Sequence, residues 1–272
     1  MNIKYYWINI DKSIHRKTFM EQQFNYFNID NQRISAITPD KLNEVIDDKP
    51  PYFCGNNCCA YNNFNDCKFE YSCSASHLEA IKEGFKSGAD YFIVCEDDIY
   101  FPFKLDFKGL IETLPKDFEI FQMMVLDEEA NHKLYNDLYK NNVSFIEFNP
   151  TQRLFSTGMY LITRDGAKKL LKSFMNNKTN KYNFSNKNII KQADFLIYMS
   201  AKTYTSTFPF CVPNSKFISE IHPHHYHIHM ASINKIKENI NNNQLLNRFI
   251  VDYYPFEDFD KLFLNTTSRC CS

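Results

Sequence analysis

Long apolar runs are missing from this 272-residue chain. No stretch approaches the roughly 18 consecutive apolar residues that a bilayer-spanning helix needs, so no transmembrane segment is expected. Basic runs are missing too. The 31 basic and 32 acidic side chains leave a formal net charge of -1, without the basic face that a nucleic-acid binder presents. Glycine is scarce, at 6 residues, and no G-x-x-x-x-G-K-[ST] phosphate loop occurs. Asparagine, frequent in NNCCAYNNFN and NINNNQ, can replace glycine in turns because it tolerates left-handed backbone. The N-terminus, MNIKYYWINIDKS, lacks the charged segment, long apolar stretch and small-residue cleavage site of a leader peptide. The expectation is a soluble cytoplasmic protein, with a secretory lumen as the alternative compartment.

The nine cysteines form no paired C-x-x-C zinc ribbon. Cys54, Cys58, Cys59, Cys67 and Cys73 crowd one Asn-rich segment, and Cys270 and Cys271 close the chain. Disulfides and reduced loop thiols both fit that spacing. Sequons at Asn142, Asn177, Asn183 and Asn265 matter only in a secretory lumen.

What the chain does have is core material: 44% hydrophobic residues, including 26 Phe and 17 Tyr, enough for one large α/β domain. IKYYWINI reads as a strand. Ser13 follows as an N-cap, with Met20, Phe24 and Phe27 on one helical face. RISAIT is a second strand, and residues 40 to 72 form a long irregular segment. Ser76 and Glu79 read as an S-x-x-E capping box that starts a helix stopped at Gly88. FIVC, FEIFQMMV, VSFIEF and TGMYLIT read as strands, and RDGAKKLLKSFM as an amphipathic helix. ADFLIYMSA and FPFCV add two apolar segments, and residues 231 to 249 look helical. Strands alternating with helices, and strands apolar on both faces, indicate a mostly parallel sheet covered on both sides.

Glu96, Asp97 and Asp98 follow directly on the apolar run of Tyr91 to Cys95. Adjacent carboxylates repel, and each costs more as it leaves water. In an open α/β sheet, ligands bind beyond the carboxyl ends of the strands. A hard divalent cation, taking oxygen ligands from one or two carboxylates plus substrate phosphates, would balance the charge there. Strand alternation would send Glu96 and Asp98 one way and Asp97 the other. Near the end of the chain, IHPHHYHIHM holds His222, His224, His225, His227 and His229, and His-rich tracts can bind metal.

The segments YYWINIDKSIHRKTFM, CSASHLEAIKEGFKSGADYFIVCEDDI, TGMYLITRDGAKKLL and FPFCVPNSKFISEI resemble the successive blocks of glycosyltransferase family 25. The family includes bacterial lipopolysaccharide galactosyltransferases and procollagen galactosyltransferases. The resemblance implies a GT-A fold over residues 1–230, with a Cys-rich insertion at about 50–73, and a C-terminal helical extension at 231–272. It implies a UDP-sugar donor, Mn²⁺ or Mg²⁺ as cofactor, and inversion at the anomeric carbon. The acceptor would be a hydroxyl of a glycan or of hydroxylysine in a collagen-like chain. Carried over by motif, Asp98 is the expected direct metal ligand, with Glu96 beside it. Asn9, Asp11, Arg16, His77 and Glu96 are expected near the donor. Asp194, then Asp97, is the candidate base. His222 and His224 are the candidate late metal ligands. Gly158, Tyr160, Gly166 and Ala167 are expected as support. A metal-dependent phosphoryl or nucleotidyl transferase, and a silent sugar-binding domain of the same fold, are the alternatives.

Overall fold

The centre of the molecule is a seven-stranded sheet, seen in a computed structural model that describes residues 3–47, 64–185, 192–217, 226–243 and 247–254, with backbone alone at 64–67 and 243. Its strands are β1 (Tyr5–Asn9), β2 (Asn31–Ser35), β3 (Tyr91–Glu96), β6 (Ile120–Gln122), β7 (Phe145–Glu147), β8 (Met159–Thr163) and β11 (Thr203–Ser206). The spatial order is β2-β1-β3-β8-β6-β11-β7. β1 pairs in parallel with β2 and β3, and β6 with β11. β8 is antiparallel to both its neighbours, and β7 to β11. Only β7 and β8 therefore oppose the common direction. The mixed α/β architecture is the GT-A-like, Rossmann-type fold expected.

Apolar residues on both faces of each strand demand helices on both faces of the sheet. Tyr5 and Trp7, Ile93 and Cys95, Met159 and Leu161 bury one face. Against them lie Phe19, Met20 and Phe24 of α1 (Ile14–Tyr26), and Ile233, Ile236 and Ile240 of α8 (Tyr226–Asn243). Tyr6 and Ile8, Phe92 and Val94, Tyr160 and Ile162 bury the other. There they meet α3 (Phe64–Lys86), α6 (Arg164–Phe174) and α7 (Ala193–Met199). α8 packs into the main core. Among the described residues no helix is long and apolar enough to cross a membrane.

One local reading changes. The helix expected to begin at Ser76 is continuous from Phe64. Ser76 lies inside it, its hydroxyl donating to the Ser72 carbonyl at 2.7 Å and accepting the Ile37 backbone N–H at 2.8 Å. The S-x-x-E spacing is thus a mid-helix tether to the loop after β2. Of the two apolar segments, ADFLIYM is helical, as α7. FPFCV is mostly irregular and ends in β12 (Val212–Pro213). Ser13 does occupy the N-cap of α1, without a side-chain capping bond.

Short ribbons fasten the periphery. β12 pairs with β4 (Ile99–Tyr100), β13 (Ile250–Tyr253) with β5 (Phe103–Leu105), and β9 (Met175–Asn176) with β10 (Lys181–Tyr182). Two short helices complete the set: α2 (Leu42–Val45) and α4 (Phe107–Thr113). α5 (Glu128–Lys133) leads into a π turn and a 3-10 turn.

Candidate active site

β3 ends at Glu96, and the chain turns at Asp97 and Asp98 before re-pairing as β4. The turn ends strict alternation, so the three carboxylates do not split as a straight strand would place them. Asp97 is buried and engaged at both oxygens. Its Oδ2 accepts the Asn9 side-chain amide at 2.7 Å, and its Oδ1 accepts Arg16 Nη1 at 2.8 Å. The same Nη1 reaches Asp98 Oδ2 at 3.2 Å. Glu96 points elsewhere. Its Oε1 accepts the Thr157 hydroxyl at 2.9 Å and lies 3.5 Å from His77 Nε2.

The parallel pairing explains the convergence. β1 and β3 run side by side, with Ile8 opposite Glu96, so the end of β1 delivers Asn9 to Asp97, and the first turn of α1 delivers Arg16. Asn9 is itself held, its side-chain oxygen accepting Arg33 Nε at 2.8 Å. Beneath the turn, Gln23 of α1 donates to the Ile99 carbonyl at 3.0 Å and accepts the Phe101 N–H at 3.1 Å. His77, buried in α3, has its Nδ1 3.1 Å from the Tyr160 hydroxyl.

The electrostatics of the trio are unequal. Burial, reinforced by Glu96 and Asp97 against the pull of Arg16, pushes Asp98 up to about 7. Burial also raises Asp97, against Arg16 and Asn9. Burial pushes Glu96 up as well, but the His77 contact, with Thr157 and Arg16, outweighs it and leaves that carboxyl below its ordinary value. Asp98 is the group short of positive charge.

A cleft of about 640 Å³ opens over this rim. Asp11, Lys12, Arg16, Thr38, Asp40, Lys41, Ser72, Ser76, His77 and the three carboxylates supply its polar wall, and Ile8, Ile10, Ile37, Pro39 and Phe69 are among its apolar residues. Asp11 is exposed and paired with Arg33 Nη2 at 2.5 Å, which holds its carboxyl below the usual range. A second cavity of about 90 Å³ lies on the other side of the rim, lined among others by Ser156, Gly158, Phe217, Tyr226 and His229. Glu96 and Asp98 line both.

Asp194 lies in the first turn of α7 and, among the described residues, is not part of either wall. Its Oδ1 accepts the Ser156 backbone N–H at 2.9 Å. Ser156 has φ +129°, a conformation that side chains other than glycine rarely adopt. Tyr198 donates to its carbonyl at 2.7 Å and Gln122 at 3.1 Å. The charge of Asp194 also reaches Cys73 in the larger cleft, whose thiol is raised by burial first, then by Glu96, Glu70 and Asp194. A side chain on Gly158 would meet the Met124 Cε at 2.7 Å, so glycine permits the packing behind the rim.

His222 and His224 lie outside the described residues. The histidine of that tract seen at the rim is His229, on α8. Thr157 and Gln23 reach the acidic turn without any motif that would have singled them out. Among the described residues no group of three or more His, Cys, Asp and Glu side chains converges as a ligand set. With each Asp97 oxygen already accepting a bond, the carboxylates that could serve as donors are Asp98 and, at the same junction, Glu96. That set fits Mg²⁺ or Mn²⁺, which are held by one or two carboxylates and complete their shell with water and substrate phosphate.

A family model described as glycosyltransferase family 25 (LPS biosynthesis protein) matches residues 2–197. A search of curated proteins gives no match.

Proposed function

This chain belongs to glycosyltransferase family 25 and is a glycosyltransferase; from that premise we propose that it moves a hexose, galactose in the first place, from UDP to a hydroxyl acceptor. The family's description as an LPS biosynthesis protein favours a glycan hydroxyl over the hydroxylysine of a collagen-like chain. The observation that carries the reading is that Asp98 and Glu96 line both cavities. A donor in the larger cleft and an acceptor in the smaller one would meet at those two carboxylates.

Each residue then has a task. Lys12, Arg16 and Lys41 bring positive charge to the diphosphate, and the apolar wall takes the nucleobase. Asp98, with Glu96 second, would hold Mn²⁺ or Mg²⁺, which supplies Lewis-acid neutralisation of the departing UDP. Asn9 and Arg16 fix Asp97, while His77 and Thr157 fix Glu96. Asp194 is the proposed base. From behind Ser156, which lines the smaller cavity and whose N–H it holds, it would take the acceptor's hydroxyl proton through one water, with Asp97 as the second candidate. As it does so, the acceptor oxygen bonds to C1, and the C1–O bond to UDP breaks with its electron pair leaving on the diphosphate. Attack opposite the leaving group inverts C1.

UDP release from a panel of UDP-sugars with Mn²⁺, with and without glycan acceptors, tests the proposal. Asp98→Asn is expected to lose metal-dependent UDP binding while remaining folded by circular dichroism. An unaltered UDP affinity in that variant would remove Asp98 from the role.

A further inference from the structure

The rim already holds a cation. Arg16 Nη1 lies 2.8 Å from Asp97 and 3.2 Å from Asp98, with both carboxylates largely buried, at 9% and 18% side-chain exposure. The two contacts differ in kind. Asp97 has a second partner in Asn9, so its geometry is fixed from two sides. Asp98 faces both cavities, and among the described residues Arg16 is the cation it pairs with, at the longer distance. The guanidinium carbon lies 5.4 Å from the centre of the Phe217 ring, which also lines the smaller cavity. A planar guanidinium has five N–H donors in a rigid fork, enough to serve a carboxylate and a phosphate together.

We propose that Arg16 is the resident counter-cation of the rim: it neutralises Asp98 in the donor-free cleft and cedes that carboxylate when a divalent ion arrives with the nucleotide. Arg16 stays tied to Asp97 throughout, and the Nη1 contact that it withdraws from Asp98 turns to the diphosphate. Arg16 and the metal therefore compete for one carboxylate, and the nucleotide resolves the competition by giving the guanidinium a new anion. The free protein should bind the bare ion weakly and the ion with nucleotide well. A purely structural arginine would not set metal against nucleotide in this way. The inference rests on the metal and UDP reading above.

The test is Mn²⁺ binding to the full chain, followed by the electron paramagnetic resonance of the free ion, first without nucleotide and then with UDP. Arg16→Gln is expected to bind Mn²⁺ alone at least about tenfold more tightly, because Asp98 loses the cation that occupies it, and to bind UDP at least about tenfold more weakly. Arg16→Lys keeps the charge but loses the fork, so its Mn²⁺ affinity is expected to rise about threefold. If the Gln variant does not fold, the Lys variant decides. In an Asp98→Asn background, changing Arg16 is expected to leave Mn²⁺ affinity unmoved. Unchanged or weaker Mn²⁺ binding in the folded Arg16 variants overturns the proposal. Wild-type protein that takes up no Mn²⁺ even with UDP overturns the underlying metal reading instead.

Discussion

Asp98→Asn is expected to stabilise the donor-free protein, and to do so only where Asp98 would otherwise be pressed to ionise. Burial and its two acidic neighbours place the Asp98 carboxyl at about 7, against 3.8 for the free side chain. Each unit of that difference is worth about 1.4 kcal/mol, so the three-unit gap sets an upper limit of about 4 kcal/mol. Arg16 is already counted in that value; relaxation and water penetration around the ionised carboxylate reduce the limit to about 2 kcal/mol. The sign follows from linkage. Below about pH 4 both folded and unfolded chains hold the proton and Asp98 contributes nothing. Between about pH 4 and 7 the unfolded chain releases the proton that the folded one keeps, so wild-type stability falls as pH rises. Above about 7 both forms are ionised and the penalty is constant. Asparagine has the same shape and does not titrate. Thermal unfolding in EDTA, followed by circular dichroism between pH 4.5 and 8.5, should show the variant melting about 4 °C higher at pH 8, at about 2 °C per kcal/mol for a chain of this size. The difference should shrink to nothing near pH 4. A variant that melts lower than wild type at pH 8, or a difference that does not depend on pH, refutes the account of a carboxylate short of positive charge.

Three further substitutions probe the frame and the chemistry. Asp194→Asn is expected to retain donor binding and lose at least about a hundredfold in transfer rate, the scale of a missing general base; transfer at the wild-type rate would assign Asp194 to holding Ser156 alone. Gly84→Ala would place a methyl 2.2 Å from the Phe92 ring in the sheet, and urea unfolding should show a loss of about 1–3 kcal/mol, where a mere helix-propensity effect would show a gain. Ser76→Ala removes the acceptor for the Ile37 N–H and should cost about 1–3 kcal/mol for the orphaned donor, with no loss expected if Ser76 were an exposed cap.

The sheet was legible where burial is two-sided. Tyr91 to Cys95 and Met159 to Ile162 are apolar on both faces, so no other placement satisfies them, and the amphipathic period of α6 is equally plain. The carboxylates at the end of β3 stood out for the same reason, since only a sheet edge tolerates them. Other elements carried weaker signals. The first turns of α3 fall in the Cys- and Asn-rich segment and lack a clean apolar stripe, while the S-x-x-E spacing suggested a start at Ser76. β11, TYTS, is too short and too polar to announce itself. The run FLIYM satisfies strand and helix alike until neighbours decide. Thr157 and Gln23 were invisible because their importance comes from partners 61 and 76 residues away. The second cavity has walls from five separate stretches, which no local pattern could have joined.

The reversed direction of β8 has a consequence for how this scaffold can diversify. In a strand that ran with its neighbours, the residues beside the carboxylates would be those that follow it, committed to the next helix. Here they are the residues that come before it, Ser156 and Thr157, suspended from α7 and β6 by three hydrogen bonds to Ser156. Insertions or exchanges upstream of Leu154 can therefore reshape the smaller cavity while the strand and its register remain unchanged, so substrate preference can drift without disturbing the core.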